Sequence, residues 1–338
     1  MRSLVFALLL MLLQTIIKPC MKQYSWPLVS IIIPMFNVDK YIQQCLESVL
    51  AQSYLNIEIV IVDDCSSDRS TLIAQQYAEI DHRIKIAHHT ENKGSLLTRK
   101  HGLELAHGSF CMFLDADDCF ANDNVILTIV KMMCRTSVDI LQFAISTIDL
   151  NGQIQDQNYS SRLKLYPGRI DENSAILSNC FECLNHHWRL WGKIYKMRPC
   201  RLAFSQTEDI HLTMGDDTYL YFLICFYSHS YLGVNTAPVY LYRIGSGIST
   251  RKSMTLELFQ LYLTGDQTAI TAINHFLKAH DSFDRLQNIY NVLYQQLLHW
   301  HFERMRQLSD VDKTAAFHSL LNFVPVSDIM EHCLMKYK

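Results

Sequence analysis

The stretch "FCMFLDADDCF", Phe110 to Phe120, runs apolar and then sets Asp115, Asp117 and Asp118 almost side by side. Carboxylates this close repel, and burying them without a partner is costly. A second apolar run, "IEIVIVDD" (Ile57 to Asp64), ends the same way in Asp63 and Asp64. Acids repeated at the ends of buried runs call for a cation or a donor-rich ligand. Asp-x-Asp on a tight turn suits Mg²⁺ or Mn²⁺, which take hard oxygen ligands and keep several waters. Such metals commonly bridge to phosphate oxygens. A third pair, Asp216 and Asp217, follows Gly215 in "MGDDTYLYF". Paired carboxylates can push one pKa towards neutrality, where a general base works. An acid at a helix N-terminus, stabilised by the helix dipole, would explain one of the two equally well. Asp68 and Asp118 also read as solvated loop residues or helix caps. Asp64 and Asp117, set directly on apolar strands, do not.

The elements that must position these acids follow from periodicity. "VSIIIP" (Val29 to Pro34) is a continuous apolar run closed by proline, which predicts a strand buried on both faces. Asp39 is placed to cap a helix running to about Gln52. "IEIVIVDD" is a second strand, followed by a helix through Tyr77. "RIKIAHH" is a third, and Ser95 opens a helix to about Ala106. "GSFCMFLDADD" is the fourth strand. Strand and helix alternate as in βαβ units, so the first half reads as a doubly wound α/β sheet. Beyond Asp118 the sequence predicts a helix over 121–134 and a strand at "VDILQFAIS". A polar loop or hairpin follows at 152–168, then a helix near 172–183. The block "HHWRLWGKIYK" leads to a helix with "GDDTYLYFLICFY" and a strand at Val239 to Tyr242. From about Met254 the chain reads as mostly helical.

Composition narrows the ligand. The 338 residues are 49% hydrophobic and 19% charged, with a net charge of −3. That gives no electrostatic footprint for nucleic acid. The eleven cysteines read as free thiols in a reducing compartment rather than a zinc site. No GxGxxG follows the first strand, where "PMFNVDKY" stands, and there is no GxxxxGK[ST]. The Asp-x-Asp of haloacid-dehalogenase-like phosphatases fits poorly. It normally lies near the N-terminus, and Cys119 fills its Thr/Val position.

Two blocks carry a specific resemblance. "VSIIIPMFNVDKYIQQCLESVLAQSYLNIEIVIVDDCSSDRS" and "ENKGSLLTRKHGLELAHGSFCMFLDADD" resemble, in order, the opening of a glycosyltransferase family 2 domain. The match spans about residues 29–118. It implies a GT-A fold, an α/β doubly wound, mostly parallel sheet, here with a mainly helical C-terminal extension. The implied division is 27–250 for the catalytic domain, with a nucleotide-binding half 27–120 and an acceptor half 121–250. Residues 251–338 form the extension. The resemblance puts Pro34 and Asn37 against the base and ribose, and gives Asp64 a hydrogen bond from the base. Asp115 faces the ribose or a metal water, and Asp117 ligates Mn²⁺ or Mg²⁺ on the donor diphosphate. Lys93 and Arg99 border the nucleotide. The family often has Ala-Arg-Asn after the glycine, and this chain has "LLTRKHG". Arg99 keeps its place there, and Lys100 replaces the asparagine. Arg99 is read equally as a solvated helix charge.

The second half is implied in the same way. Asp217 matches the family's catalytic base, with Asp216 in place of its glutamate. "WRLWGKIYKM" resembles a Trp-Gly-Lys-Leu-Tyr block, which puts Trp191 and Lys193 at the acceptor or donor sugar; core aromatics and a surface charge are the other reading. Arg243, before the Gly/Ser loop of "YLYRIGSGIST", would reach the diphosphate as that loop closes. The implied reaction is inverting transfer from a nucleoside-diphosphate sugar, with a UDP-sugar favoured. The acceptor is a glycan or glycolipid of a bacterial surface polysaccharide or lipooligosaccharide. Such donors are made in the cytoplasm, so a cytoplasmic location follows, with peripheral membrane contact open. The rival is a catalytically inactive GT-A domain serving as a sugar-binding or scaffold subunit. Residues 1–26 hold an apolar run, Leu4 to Leu13, short of the roughly 20 residues of a spanning helix. An over-long or membrane-touching leader, an uncleaved anchor and a cleaved signal all remain open, as does a true start at Met21. The histidines, including the adjacent pairs His88–His89 and His186–His187, read as ordinary polar or half-buried residues.

Overall fold

A computed structural model describes residues 26–155, 163–247 and 253–335. The leader readings and the end of the Gly/Ser loop lie outside the described residues. The first four predicted strands form as read. They are β1 (Val29–Met35), β2 (Ile57–Asp63), β3 (Ile84–His88) and β4 (Phe110–Phe113). All pair in parallel, in the order β3-β2-β1-β4. Their connections are α1 (Ile42–Leu50), α2 (Ser70–Ile80) and α3 (Gly94–Leu105). Because α3 carries the chain back across to the far side of β1, the strand order reverses between β1 and β4. Open α/β sheets bind ligands at such a reversal, outside the carboxyl ends of the strands.

The next elements are β5 (Cys119–Phe120), α4 (Val125–Thr136), β6 (Ile140–Phe143), β7 (Ile145–Ile148), β8 (Ile154–Gln155) and β9 (Gly168–Asp171). The helix α5 (Asn173–Leu177) runs into a π turn at Ser178–Glu182. Then come β10 (Lys193–Lys196), α6 (Met197–Ser205), α7 (Asp216–Tyr227), β11 (Ser230–Val234) and β12 (Tyr240–Arg243). The large sheet continues from β4 through β10, β6 and β11 to β9, and a small sheet runs β5-β12-β7-β8. One expected strand, "VDILQFAIS", is thus two. It breaks at Ala144, whose carbonyl accepts the Val239 N–H, and its halves join different sheets. That break lets the small sheet reach the end of β4.

Helix α1 starts later than read. Asp39 caps nothing; its own N–H donates to Asp68 Oδ2 at 3.0 Å, and the helix opens after Tyr41. The polar segment after β7 begins as the expected hairpin, and β9, an edge strand, went unread.

Helices α1, α2 and α4 cover one face of the large sheet, and α3, α6 and α7 the other. The aromatic run of α7 is core, with Tyr219 to Cys225 all buried. The C-terminal region is helical as read: α8 (Leu256–Ala279), α9 (Phe283–Arg306), α10 (Asp310–Leu321) and α11 (Val326–Met335). Helices α8 and α9 extend the core over α7. Among the described residues, no helix is long and apolar enough to cross a membrane.

Candidate active site

Strand β1 lies between β2 and β4, so their carboxyl ends form one edge. Pro34 lies near the end of β1, paired with Val62, and Asn37 follows the strand at its rim. Asn37 holds φ 51° and accepts the Ser67 N–H at 2.8 Å, which ties the first two strand-end loops together. Asp64 sits beside them, but its carboxylate is already engaged. It accepts the N–H of Lys93 at 2.8 Å, the N–H of Gly94 at 2.9 Å and Nδ1 of His89 at 2.8 Å. Its main task is to hold the N-terminus of α3, with at most one lone pair left for a ligand. Lys93, half-buried, therefore contributes its backbone here.

Arg99 is not the solvated helix charge of its second reading. Its side chain is buried, not solvated, and it bridges two loops. Nη2 donates to Asp115 Oδ1 at 2.7 Å, and Nη1 pairs with Asp216 Oδ2. One guanidinium thus links the Asp-x-Asp turn to the acid pair 100 residues downstream of it. Asp115, Asp117 and Asp118 bring carboxylate oxygens within 4.8 Å of one another. Asp118 is not a solvated cap: it is 1% exposed, accepts from Tyr240 Oη at 2.6 Å and accepts the Arg243 N–H at 2.7 Å. Burial and the neighbouring Asp117 and Asp115 push its pKa well up. Burial and Asp115 also raise Asp117, whose Oδ2 accepts from Ser246 Oγ at 2.6 Å. Three converging hard oxygens fit a divalent cation such as Mn²⁺ or Mg²⁺. Asp115 and Asp117 keep lone pairs beyond those taken by Arg99 and Ser246.

Asp216 and Asp217 open α7 after Gly215. Burial pushes both up, and Arg99 draws them back down. Asp217, half-buried, is raised to about 7, by burial first and Asp216 second. Its Oδ1 accepts the Leu190 N–H at 3.4 Å. Such a carboxylate can take a proton near neutral pH.

Residues 30–198 match the model of the glycosyl transferase family 2. This chain belongs to glycosyltransferase family 2. It is 31% identical over 228 residues to the glycosyltransferase GlyA of Streptococcus pneumoniae serotype 4, covering 66% of this chain and 31% of GlyA. It is 45% identical over 177 residues to an uncharacterized glycosyltransferase, EpsJ, of Bacillus subtilis, covering 50% of this chain and 48% of EpsJ. The chain therefore spans less than two thirds of these relatives. Among solved structures, S. aureus TarS in complex with UDP aligns over 89% of this chain and 82% of the TarS chain, with TM-score 0.54 and 18% identity. A mannosyltransferase from Pyrobaculum calidifontis, in complex with GDP-Man and Mn²⁺, aligns over 93% of this chain and 81% of its own, with TM-score 0.54 and 14% identity. Both share the GT-A-like fold.

Within this family 2 fold, three expected site residues prove to be internal. Trp191 is 2% exposed and stacks on Tyr240 and Tyr242, with ring centroids 5.1 and 4.5 Å away. It supports the small sheet and offers no face to a sugar. Lys193 is fully buried, with Nζ donating to the carbonyls of His187 and Arg189 at 2.8 and 2.6 Å. Arg243 is 2% exposed. Its Nε donates to the Asp117 carbonyl at 2.8 Å, Nη2 to Gln44 Oε1 at 2.5 Å and Nη1 to the Asp149 carbonyl at 3.0 Å. It braces the Asp-x-Asp turn from behind rather than reaching for a diphosphate. The histidine reading also changes: His186 and His187 are fully enclosed, and His89 links Asp64 to His101, with Nε2 3.1 Å from His101 Nδ1.

Two further residues shape the site. Tyr240 accepts the Asp115 N–H at 3.2 Å while donating to Asp118, and Ser246 holds Asp117. A tyrosine inside an apolar strand and a serine in a Gly/Ser loop carry no sequence signal of that role. Helix α8 reaches the site too. A Cβ at Gly265 would lie 2.2 Å from the Met214 carbonyl oxygen, directly ahead of the acid pair. Gly265→Ala should therefore push on backbone that cannot yield cheaply. The expected loss is about 1–3 kcal/mol of stability, read as a lower urea midpoint with an unchanged slope. A midpoint equal to that of the parent would show that the turn has slack.

Proposed function

We propose that this chain transfers a sugar, with inversion, from a nucleoside-diphosphate sugar to a hydroxyl of a glycan or glycolipid. A UDP-sugar is the favoured donor, and synthesis of a bacterial surface polysaccharide or lipooligosaccharide the favoured setting. The enzyme would work in the cytoplasm, with peripheral membrane contact. The observation that carries the reading is the Arg99 bridge, which holds the Asp-x-Asp turn and the acid pair as one site. The TarS complex with UDP and the mannosyltransferase complex with GDP-Man and Mn²⁺ support a nucleotide donor on this fold.

In this reading Asp217 accepts the proton of the acceptor hydroxyl as its oxygen attacks C1 of the sugar. The C1–O bond to the diphosphate breaks on the opposite face, so the configuration inverts. Pro34, Asn37 and the rim around Asp64 and Lys93 seat the nucleoside. Asp115 and Asp117 would hold Mn²⁺ or Mg²⁺, which supplies Lewis-acid stabilisation of the leaving diphosphate when bound. Arg99 sets the distance between the two halves, and in-line alignment depends on it.

Calorimetric titration with UDP, GDP and CMP, each with and without Mn²⁺, tests the donor half. One nucleotide, expected to be UDP, should bind only with Mn²⁺. Asp117→Ala should remove that binding while leaving the folded circular-dichroism spectrum intact. Equal binding by the variant would overturn the metal assignment. No nucleotide binding by the folded parent would favour a scaffold role.

A further inference from the structure

The block "HHWRLWGKIYK" forms a tight reversal between the π turn and β10, with a cation at its centre. Lys193 Nζ has three acceptors: the His187 carbonyl at 2.8 Å, the Arg189 carbonyl at 2.6 Å and His187 Nδ1 at 3.1 Å. An ammonium has three N–H groups, so its donors and these acceptors match one for one. Burial pushes Lys193 down to about 7 and His187 well down, so the imidazole is neutral and its Nδ1 accepts. The charge also sits over the Tyr221 ring, 4.5 Å from its centroid. Two residues on, Tyr195 Oη donates to the Leu190 carbonyl at 2.8 Å. The carbonyls of His187, Arg189 and Leu190 are therefore all held by side chains of β10. Gly192, at φ 73°, allows the chain to turn so sharply. Outside, Trp188 stacks against Phe181 and Trp300. The Arg189 carbonyl that Lys193 holds shares its peptide plane with the Leu190 N–H, which donates to Asp217 Oδ1 at 3.4 Å. Catalytic hydrogen bonds of that length commonly tighten when substrate binds.

We propose that Lys193 is a positioning residue for the general base: it clamps the His187–Leu190 reversal so that the Leu190 N–H orients the Asp217 carboxylate. This rests on the reading of Asp217 as the base. A buried ammonium contributes little net stability compared with an apolar side chain of similar size, so its value here is conformational. Other charges around the pair act in both directions. Asp217 is faced by Asp216, Asp115, Arg99 and Arg189, and Lys193 by Cys180, Cys225, Asp217 and Arg189.

The test uses hydrolysis of a nucleotide sugar, in which water replaces the acceptor. The probe is whichever of UDP-GlcNAc, UDP-glucose and GDP-mannose the full chain cleaves fastest with Mn²⁺. Lys193→Met should lower kcat by about 10²-fold with donor KM unchanged. The midpoint of its kcat–pH profile should move up, because the carboxylate loses an N–H donor. Tyr195→Phe should shift the same midpoint in the same direction, and it carries the test if Lys193→Met fails to fold. In an Asp217→Asn background, Lys193→Met should cause no further loss. An unmoved midpoint, or an equal loss in that background, overturns the proposal and leaves Lys193 a packing residue. If Asp217→Asn alone keeps full kcat, the base reading fails first, and the proposal falls with it.

Discussion

Asp217→Asn should keep nucleotide binding and lose transfer by about 10²–10⁴-fold, the usual contribution of a general base. The substitution keeps the shape of the side chain and its contact with the Leu190 N–H. It removes only the ability to take a proton. Asp217 is outside the Asp115–Asp117–Asp118 cluster and takes no bond from Arg99 at its own carboxylate, so the donor site should stay intact. Titration with UDP and Mn²⁺ reads that half independently of turnover.

The parent enzyme gives the same residue a second signature. Burial and Asp216 raise Asp217 to about 7. A base works in its deprotonated form, so kcat should climb tenfold per pH unit below that value and level off above it. The variant should show no such limb. Full transfer by Asp217→Asn, or a parent profile flat from pH 5.5 to 8, would place the base elsewhere.

The sheet and its acids were legible because the physics there is local. Strands such as β1 and β2 are buried on both faces, so they read as unbroken apolar runs. An Asp ending such a run stands out against them. The misread residues fail for the opposite reason. Lys193 and Arg243 carry charge, and charge in a sequence suggests solvent or ligand. Arg243 is enclosed by a carbonyl 126 positions away, and Lys193 by carbonyls of a sharp reversal of its own chain, neither of which side-chain periodicity encodes. Trp191 is alike: its stacking partners come from β12, in a different sheet from β10. The break at Ala144 was invisible because the apolar run continues through it. Periodicity reports burial, not which sheet does the burying. Asp64 shows the limit most clearly. Its position at the end of β2 is legible, but the helix N-terminus that claims its oxygens depends on how Lys93 and Gly94 dock.

Arg99→Leu should be the most destabilising single change in the site, by about 3–5 kcal/mol, the cost of removing one partner from a buried ion pair. Arg99, Asp216 and Asp115 have side chains 7%, 9% and 24% exposed, so water cannot replace the guanidinium for Asp216. The loss should also depend on pH, with a definite sign. Burial already raises the Asp216 pKa in the folded protein, and Arg99 pulls it down. Without Arg99 it rises further above its unfolded value. The folded variant then binds more protons than the unfolded chain, so its stability falls as pH rises through that window. The deficit relative to the parent should therefore be larger at pH 8 than at pH 5.5, where protonation neutralises the orphaned acid. Chemical denaturation at the two pH values measures it. An equal deficit at both would mean that Arg99 contributes packing rather than charge. A small deficit at both would mean that the two loops are held together by something else, such as the seat of α3 on the Leu212 carbonyl. Arg99→Lys separates charge from geometry. It restores the cation without the planar fork that spans both carboxylates, so it should recover part of the stability at pH 8 but little of the transfer rate.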